Sequence, residues 1–302
     1  MVKKAQELLA SKQEDDRCAG IELLALARTD NSIELLAEQL AIEPSSFVRS
    51  CLIEALGKMQ SAYTGVVVGQ LLEASEATVR NAALAILQML GDIAMPVLTV
   101  LMSHPSSDLR KLAADALDKI SGDAASSLLL NGAGDSHPNV ASSCAEYLGN
   151  RRDIRIVPTL TAALLPSTDI WVAFAILDSL AQTDEKAALE VIEQYMGTVS
   201  TNRKRYIMIA GIWVAAASRL GGERQLVSAW ELYHDKILTM SQMLTLLDGL
   251  QGIGINLKNN QNDIENLLKA FFADELKRNS RQDMIAAIRI ASRNCPTLLD
   301  DE

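Results

Sequence analysis

One short pattern recurs along the first two thirds of the chain at nearly equal intervals. It joins a capping residue to an apolar residue and then to a position that is most often arginine, and a run of small apolar residues follows. The arginine position is occupied in turn by Arg17, Arg49, Arg80, Arg110, Ala141 and Trp171, at spacings of 32, 31, 30, 31 and 30 residues. Such a period is typical of proteins built from stacked supersecondary units.

Each repeat predicts two antiparallel helices. The chain is rich in Ala and Leu, holds only 16 Gly and 7 Pro in 302 residues, and is 4% aromatic, which favours helix over strand. The second helix of each pair is predicted to begin behind the caps Asp15, Ser46, Thr78, Asp108, Asn139 and Asp169. The first helices are predicted at 33–40, 63–72, 93–102, 124–130, 154–165 and 187–196. A single pair cannot bury its apolar faces alone, so neighbouring pairs must stack.

The sequence texture of the blocks, clearest over 46–57, 78–87 and 108–117, resembles short HEAT repeats of the bacterial type, including the PBS-lyase-like HEAT repeats. The resemblance implies an all-α fold: a right-handed α-α superhelix, or HEAT-like α-solenoid, of stacked antiparallel helix pairs. In that family the arginine is a structural ladder residue that reaches carboxylates or carbonyls of adjacent repeats. Arg17, Arg49, Arg80 and Arg110 match this position and are called the ladder arginines below.

The regularity of the pattern predicts two regions. Residues 1–196 carry regular repeats of about 31 residues, whereas residues 197–302 carry longer, divergent helical pairs that continue or cap the solenoid. Second helices are expected there near Arg205, Met243 and Met284. Residues 251–262 are predicted to form a loop, with Asp263 as the cap of the next helix. Residues 296–302 resemble the start of a further first helix, which is either a short cap or the beginning of more chain.

Catalytic chemistry finds no support in the residue pattern. None of the three histidines, His104, His137 and His234, is followed by Glu, as it is in metal-binding HEAT enzymes of the deoxyhypusine hydroxylase type. The four cysteines are widely separated in sequence, which predicts reduced thiols and neither a disulfide framework nor a zinc site. Nucleotide-binding and hydrolase motifs are absent from the sequence. We therefore expect a protein that is not an enzyme, with no catalytic residue, cofactor or metal.

Charge and hydropathy bear on the compartment and on the class of partner. With 28 basic and 38 acidic residues the chain has a net charge of -10, which disfavours binding to nucleic acid or to an anionic membrane. The longest apolar run, 207–217, is of a length that suits a buried helix, and the amino terminus lacks the apolar core of a signal peptide. The sequence therefore predicts a cytoplasmic location.

A protein partner is the remaining expectation, and we expect it on the concave face lined by the second helices. Residues 1–150 hold 11 basic and 19 acidic side chains, but residues 151–302 hold 17 and 19, and ten of the twelve aromatic residues lie at or beyond Tyr147. Aromatic residues and arginine are enriched in binding hot spots. The candidate partner-binding residues are Trp171, Tyr147, Tyr206, Arg203 and Arg205.

Alternatives remain open at this point. Trp171 replaces a ladder arginine, and packing against the preceding repeat explains it as well as partner contact does; Trp213 is expected in the core. A scaffold or adaptor is the leading hypothesis. The alternative is an enzyme subunit similar to the bilin lyases of phycobilisome assembly, which also carry short HEAT repeats, and the third reading is a HEAT-like nucleic-acid-binding protein.

Overall fold

The computed structural model describes residues 2–151, 156–164, 169–273 and 281–296. These ranges consist of helices, short 3-10 turns and loops, and they contain no strand, as the composition predicts. The chain forms two compact units, Met1–Tyr147 (unit 1) and Leu148–Glu302 (unit 2). The repeat pattern of the sequence continues across this division. The predicted all-α fold of stacked helix pairs is confirmed.

Unit 1 contains five helix pairs. Its first helices are α1 (Val2–Leu9), α3 (Asp30–Ile42), α5 (Ala62–Gln70), α7 (Met95–Met102) and α9 (Asp123–Gly132), and its second helices are α2 (Glu14–Ala27), α4 (Ser46–Lys58), α6 (Ala77–Leu90), α8 (Ser107–Asp118) and the beginning of α10 (Pro138–Arg151). First helices pack on first helices from α3 to α9, and second helices pack on second helices from α2 to α8. The unit therefore has two layers, with its core between them.

The apolar residues of each repeat fill that core. Leu24 of α2, Leu52 of α4 and Ile86 of α6 are among the side chains buried between neighbouring pairs. Full burial of a side chain of this kind stabilises the fold by about 1.5 to 3 kcal/mol. Because every pair contributes such residues, the regular spacing of the pattern becomes a continuous apolar layer.

Unit 2 also consists of helix pairs, but they are less regular, and its second helices form the continuous stack. Its first helices are α11 (Ile156–Leu164), α13 (Lys186–Val199), α15 (Glu223–His234) and α17 (Gln261–Ala273), and its second helices are α12 (Ile170–Gln182), α14 (Arg203–Leu220), α16 (Met240–Gly252) and α18 (Arg281–Asn294). The second helices pack in succession from α12 to α18. The three second helices predicted beyond residue 197 are present. The predicted helix ends at 154 and 165 and the segment 297–302 lie outside the described residues.

Most of the predicted caps are wrong. Asp169 caps α12 by accepting the N–H groups of Trp171 and Val172, but Ser45, not Ser46, caps α4. The helices with predicted caps at Asp15, Thr78, Asp108 and Asn139 begin at or before those residues, which therefore lie inside the first turn. Acidic side chains inside a first turn are stabilised by the helix dipole without capping it. The same displacement applies to Asp263 in α17, and the predicted 251–262 loop is shortened because α16 extends to Gly252.

Within the described residues, one stretch is long and apolar enough to cross a membrane, Ala77–Met102. It comprises α6, a 3-10 turn and α7, and Gly91 at the end of α6 has a φ of 57°. A left-handed residue of this kind ends an α-helix. Ala83 and Ile86 of α6 are completely buried in unit 1.

Candidate partner-binding surface

Each ladder arginine donates hydrogen bonds to the turn that connects the two helices of its own pair. The accepting carbonyls lie five and six residues before Arg17, Arg80 and Arg110, and six residues before Arg49. They belong to Ser11 and Lys12 for Arg17, to Glu43 for Arg49, to Ala74 and Ser75 for Arg80, and to His104 and Pro105 for Arg110. The guanidinium groups thus donate to carbonyls that lie outside the regular hydrogen-bond pattern of the helices.

Two ladder arginines also bind a carboxylate supplied by the following pair. Arg17 makes a two-pronged contact with Glu43, with distances of 3.0 Å from Nε to Oε2 and 2.8 Å from Nη2 to Oε1. Arg110 contacts Asp135 in the same way, at 2.7 Å from Nε and 2.8 Å from Nη2. Forked pairs of this geometry are the strongest hydrogen-bonded ion pairs that proteins form. They link pair one to pair two and pair four to pair five.

The two carboxylates are held ionised. Burial by itself raises the pKa of Glu43, but hydrogen bonds from Arg17, Gln39 and the Ser45 N–H outweigh it, so that the pKa lies below its ordinary value. Burial likewise raises the pKa of Asp135, and the bonds from Arg110 and the His137 N–H again lower it further than burial raises it. Glu43 and Asp135 were not singled out in the sequence, because acidic side chains are abundant in this chain.

The ladder position changes character at its last two occurrences. Ala141 is buried in α10, whereas Trp171 lies in the first turn of α12 with 66% of its surface exposed. The backbone N–H of Trp171 donates to Asp169 Oδ1 at 2.8 Å. This bond holds the backbone of the first turn, and the indole ring takes no part in it. Of the two readings of Trp171, this exposure favours the accessible side chain over the packed one.

Three further candidates lie on the first turn of α14. Arg203 and Arg205 are exposed; Nη2 of Arg203 donates to the carbonyls of Asp235 and Lys236, and the N–H of Arg205 donates to the Asn202 cap at 3.2 Å. Tyr206 is half-buried. Burial, together with the charge of Asp235, raises the pKa of its hydroxyl, so Tyr206 remains neutral.

Tyr147, the fifth candidate, lies in unit 1 and is held by its neighbours. Its hydroxyl donates to Asp115 Oδ1 at 2.6 Å, and the same oxygen accepts from Lys111 Nζ at 2.7 Å. Burial and the bond to Asp115 raise the pKa of Tyr147. The structure therefore gives Tyr147 a contact between α8 and α10, while the other four candidates lie in unit 2.

Exposed apolar side chains in unit 2 concentrate on the second helices. Trp171 on α12 and Ile207 and Met208 on α14 are exposed near the beginnings of two helices that pack together. The first helices expose only one large apolar side chain among the described residues of unit 2, Val227 on α15. We call Trp171, Arg205, Ile207 and Met208 the α12–α14 patch. Unburied apolar clusters with a polar rim are typical of protein-binding surfaces.

A partly buried polar cluster around Glu193 joins three helices of unit 2 and was not predicted. Trp213 is in the core, as expected, with 2% of its surface exposed. Its Nε1 donates to Glu193 Oε1 at 3.2 Å; Gln225 Nε2 donates to the same oxygen at 2.9 Å, and Arg224 Nη2 donates to Oε2 at 2.6 Å. Glu193 thereby joins α13, α14 and α15. No local sequence signal marks it, because its partners are 20 to 32 residues away.

Two cysteines that are widely separated in sequence lie side by side in the structure, a contact that the sequence analysis did not predict. Cys18 on α2 and Cys51 on α4 are both half-buried, and their sulfur atoms are 3.2 Å apart. Burial, with the contact to Cys51, raises the pKa of the Cys18 thiol to about 12. Their separation of 33 residues is close to one repeat, and this is the signal that could have placed them together.

A search of the described residues for three or more His, Cys, Asp or Glu side chains able to hold a metal ion finds no such group. His104 lies in the turn before α8, and His137 directly precedes α10. His234 is the last residue of α15. In α15, His234 is within ring-contact distance of Trp230 and Tyr233.

Comparison with known proteins agrees with this geometry. The family model for HEAT repeats matches residues 65–140 and 126–210. Residues 65–210 carry HEAT repeats. Outside this range, the described helices also pack as antiparallel pairs. No curated protein sequence matches the chain.

One solved structure shares the fold over nearly the whole chain. A crystal structure of a mutant of Kap121p matches with a TM-score of 0.61 and 14% identity, covering 99% of this chain and 38% of that one. YibA from E. coli (TM-score 0.36, 19% identity, 71% and 80% covered) and human deoxyhypusine hydroxylase (TM-score 0.30, 17% identity, 70% and 95% covered) also match. At these identities the Kap121p match establishes the HEAT solenoid architecture and not a shared activity.

Proposed function

We propose that this HEAT-repeat chain is a non-enzymatic scaffold or adaptor that binds another protein on the second-helix side of unit 2, which is the concave face of a HEAT array. The observation that carries the proposal is the α12–α14 patch: Trp171 is 66% exposed in the first turn of α12, and Ile207 and Met208 are exposed near the beginning of α14, the helix that packs on it. A large exposed indole in a folded protein has no stabilising role of its own. It is the residue type most enriched in binding hot spots.

The chemistry of the patch indicates what the partner presents. Ile207 and Met208 supply a flexible apolar floor, and Arg205 supplies an exposed guanidinium at the rim. Methionine adapts its shape to different partners, and rim charges set specificity and association rate. A partner segment with an apolar anchor flanked by carboxylates fits this arrangement.

The wider context supports a soluble protein partner. The net charge of -10 opposes binding to nucleic acid and to anionic membranes. We also propose that the protein acts in the cytoplasm. The HEAT-repeat protein Kap121p has been crystallised bound to the proteins Pho4p and Nup53p. No observation favours a second candidate function.

The test compares two exposed apolar side chains of unit 2. Wild type, Trp171→Ala and the control Val227→Ala are used as bait in extract of the native cells, and captured proteins are identified by mass spectrometry. Val227 is 57% exposed but lies on the first-helix layer, so its removal should leave binding intact. For Trp171→Ala we expect binding of the captured partner, remeasured with purified components, to weaken by at least about 2 kcal/mol, roughly thirtyfold.

Two results would contradict the proposal. Equal capture by Trp171→Ala and wild type would remove the patch from the interface. A saturable, red-shifted absorbance spectrum on titration of the purified protein with a bilin would instead favour the lyase alternative. Circular dichroism of both variants serves as the folding control, because neither side chain is buried.

A further inference from the structure

In unit 1 the residue six positions before one ladder position, whether that position is Arg or Ala, decides how the preceding ladder arginine is hydrogen-bonded. Glu43 stands six residues before Arg49 and receives the fork of Arg17. Asp135 stands six residues before Ala141 and receives the fork of Arg110. The corresponding residues for Arg49 and Arg80 are Ala74 and His104, and neither supplies a carboxylate. Two of the four ladder arginines therefore lack the partner that the other two possess.

At Arg80 the unused donors are accessible. Nη1 donates to the carbonyls of Ala74 and Ser75, both at 2.7 Å, as Nη1 does in Arg17 and Arg110. Nε and Nη2, the two groups that form the fork in Arg17 and Arg110, have no hydrogen-bond partner within the described part of the chain. At Arg49 the equivalent Nε is buried and closed off from ligands, but at Arg80 the guanidinium lines a cavity.

His104 makes one of the two contacts that Glu43 and Asp135 make at the equivalent positions, and it cannot make the other. Glu43 accepts the N–H of Ser45, and Asp135 accepts the N–H of His137; in the same way Nδ1 of His104 accepts the N–H of Ser106 at 3.1 Å. An imidazole that accepts at Nδ1 carries its hydrogen on Nε2 and can only donate there. His104 therefore closes the turn as an acid would, but it cannot accept the fork of Arg80.

The space between these groups is a cavity of about 590 Å³. Its wall includes Arg80, His104, Leu72 and Leu109, and it is wide open to solvent. Glu73 and Asp108 also line it, but both are exposed, so water screens their charges. The forked donors of a guanidinium match the two oxygens of a carboxylate.

We propose that this cavity binds a carboxylate from outside the chain, which takes the place that Glu43 and Asp135 occupy in the neighbouring repeats. Arg80 Nε and Nη2 donate to its two oxygens, and the apolar wall accommodates the carbon chain that bears it. The carboxylate belongs to a small acid or to an aspartate or glutamate side chain of another protein. The site lies in unit 1 and does not depend on the α12–α14 patch.

The test follows the arginine Nε–H signals of the ¹⁵N-labelled protein by NMR while sodium acetate is added at constant ionic strength, with sodium chloride as the salt control. The Arg80 signal is assigned by its loss in Arg80→Lys. We expect a saturable shift of this signal with acetate, no such shift with chloride or acetamide, and an unchanged Arg110 signal. A linear shift, or an equal response to chloride, would overturn the proposal.

Two substitutions at one residue separate a built site from general charge attraction. His104→Asp supplies the internal acid and is expected to weaken acetate binding at least about tenfold while raising the midpoint of thermal unfolding. His104→Asn keeps an oxygen for the Ser106 N–H, remains neutral and should retain binding. If His104→Asp binds acetate as wild type does, or His104→Asn loses binding, the proposed geometry is wrong.

A peptide probe distinguishes the two sources of the carboxylate. Acetyl-Gly-Glu-Gly-amide is compared with its Gln counterpart and with acetate by the same Arg80 signal. Binding of the Glu peptide at least about tenfold tighter than acetate supports a protein ligand, and equal affinity supports a small acid. A Gln peptide that binds as well as the Glu peptide would overturn the proposal.

Discussion

The sulfur atoms of Cys18 and Cys51 are 3.2 Å apart, on adjacent second helices of unit 1. Both are reduced, and both are half-buried. The other two cysteines, Cys144 and Cys295, are buried, and neither has a sulfur neighbour among the described residues. Proximity thus singles out one pair for thiol chemistry.

We expect glutathione disulfide to join Cys18 to Cys51. One thiolate attacks the reagent and releases glutathione, and the second thiol displaces a second glutathione, so that the protein loses two hydrogens. Because burial raises the pKa of Cys18 to about 12, the reactive thiolate is scarce at neutral pH, and the reaction at Cys18 should accelerate about tenfold per pH unit on the alkaline side. Intact mass and peptide mapping over a pH series measure it. Cys51→Ser is the control, and a cross-link that involves Cys144 instead would contradict the expectation.

The two kinds of ladder position should differ in their contribution to stability. Asp135→Ala leaves Arg110 without its fork partner in a largely buried site, and we expect the free energy of unfolding to fall by about 2 to 4 kcal/mol. Arg80→Ala removes bonds to two carbonyls only, and we expect a loss of about 1 to 2 kcal/mol. Urea denaturation measures both. Equal losses would mean that the carboxylate adds nothing to the ladder.

The low pKa of Glu43 predicts an acid-sensitive ion pair. A carboxylate with a depressed pKa in the folded state contributes its stability fully above its unfolded pKa of about 4.3 and loses it as the pH falls through the folded value. We therefore expect the free energy of unfolding to decline below about pH 4. Glu43→Gln should be less stable at neutral pH and should show a smaller decline in acid. Urea denaturation across the acidic range decides this, and an unchanged decline in Glu43→Gln would assign the acid sensitivity to other groups.

Two glycines in helices should respond oppositely to substitution by alanine. A Cβ at Gly149 would lie 2.8 Å from Cα of Ser179, a backbone atom that cannot yield, whereas a Cβ at Gly197 would meet nothing within 4 Å. Gly149→Ala is expected to cost about 1 to 3 kcal/mol through overpacking, and Gly197→Ala to stabilise by about 0.5 to 1 kcal/mol through helix propensity. Thermal and urea unfolding of both variants test the contrast. Stabilisation by Gly149→Ala would refute the close approach of α10 and α12.

What the sequence could predict is set by periodicity. The ladder arginines recur once per repeat, so their spacing alone establishes the helix pairs and their stacking, and the apolar surroundings of Trp213 place it in the core. Contacts between side chains of different repeats cannot be predicted from this spacing. The contact of Cys18 with Cys51 depends on side-chain reach across two helices, and the bonds to Glu193 come from residues far away in sequence. Most cap predictions failed because polar residues such as Thr78 occur both at the N-cap and inside the first turn, so residue type alone does not fix where a helix begins.

Glu193 makes unit 2 a different kind of array from unit 1. In unit 1 each ladder arginine donates to carbonyls in the turn of its own pair, so these hydrogen bonds lie within a single pair. In unit 2 a single carboxylate holds donors from α14 and α15 at once. Gain or loss of pair three, which shares no arginine–carboxylate fork with its neighbours, would therefore leave the ladder of unit 1 intact. In unit 2 the same event would separate Glu193 from its donors, which makes the number of pairs there an inherited constraint.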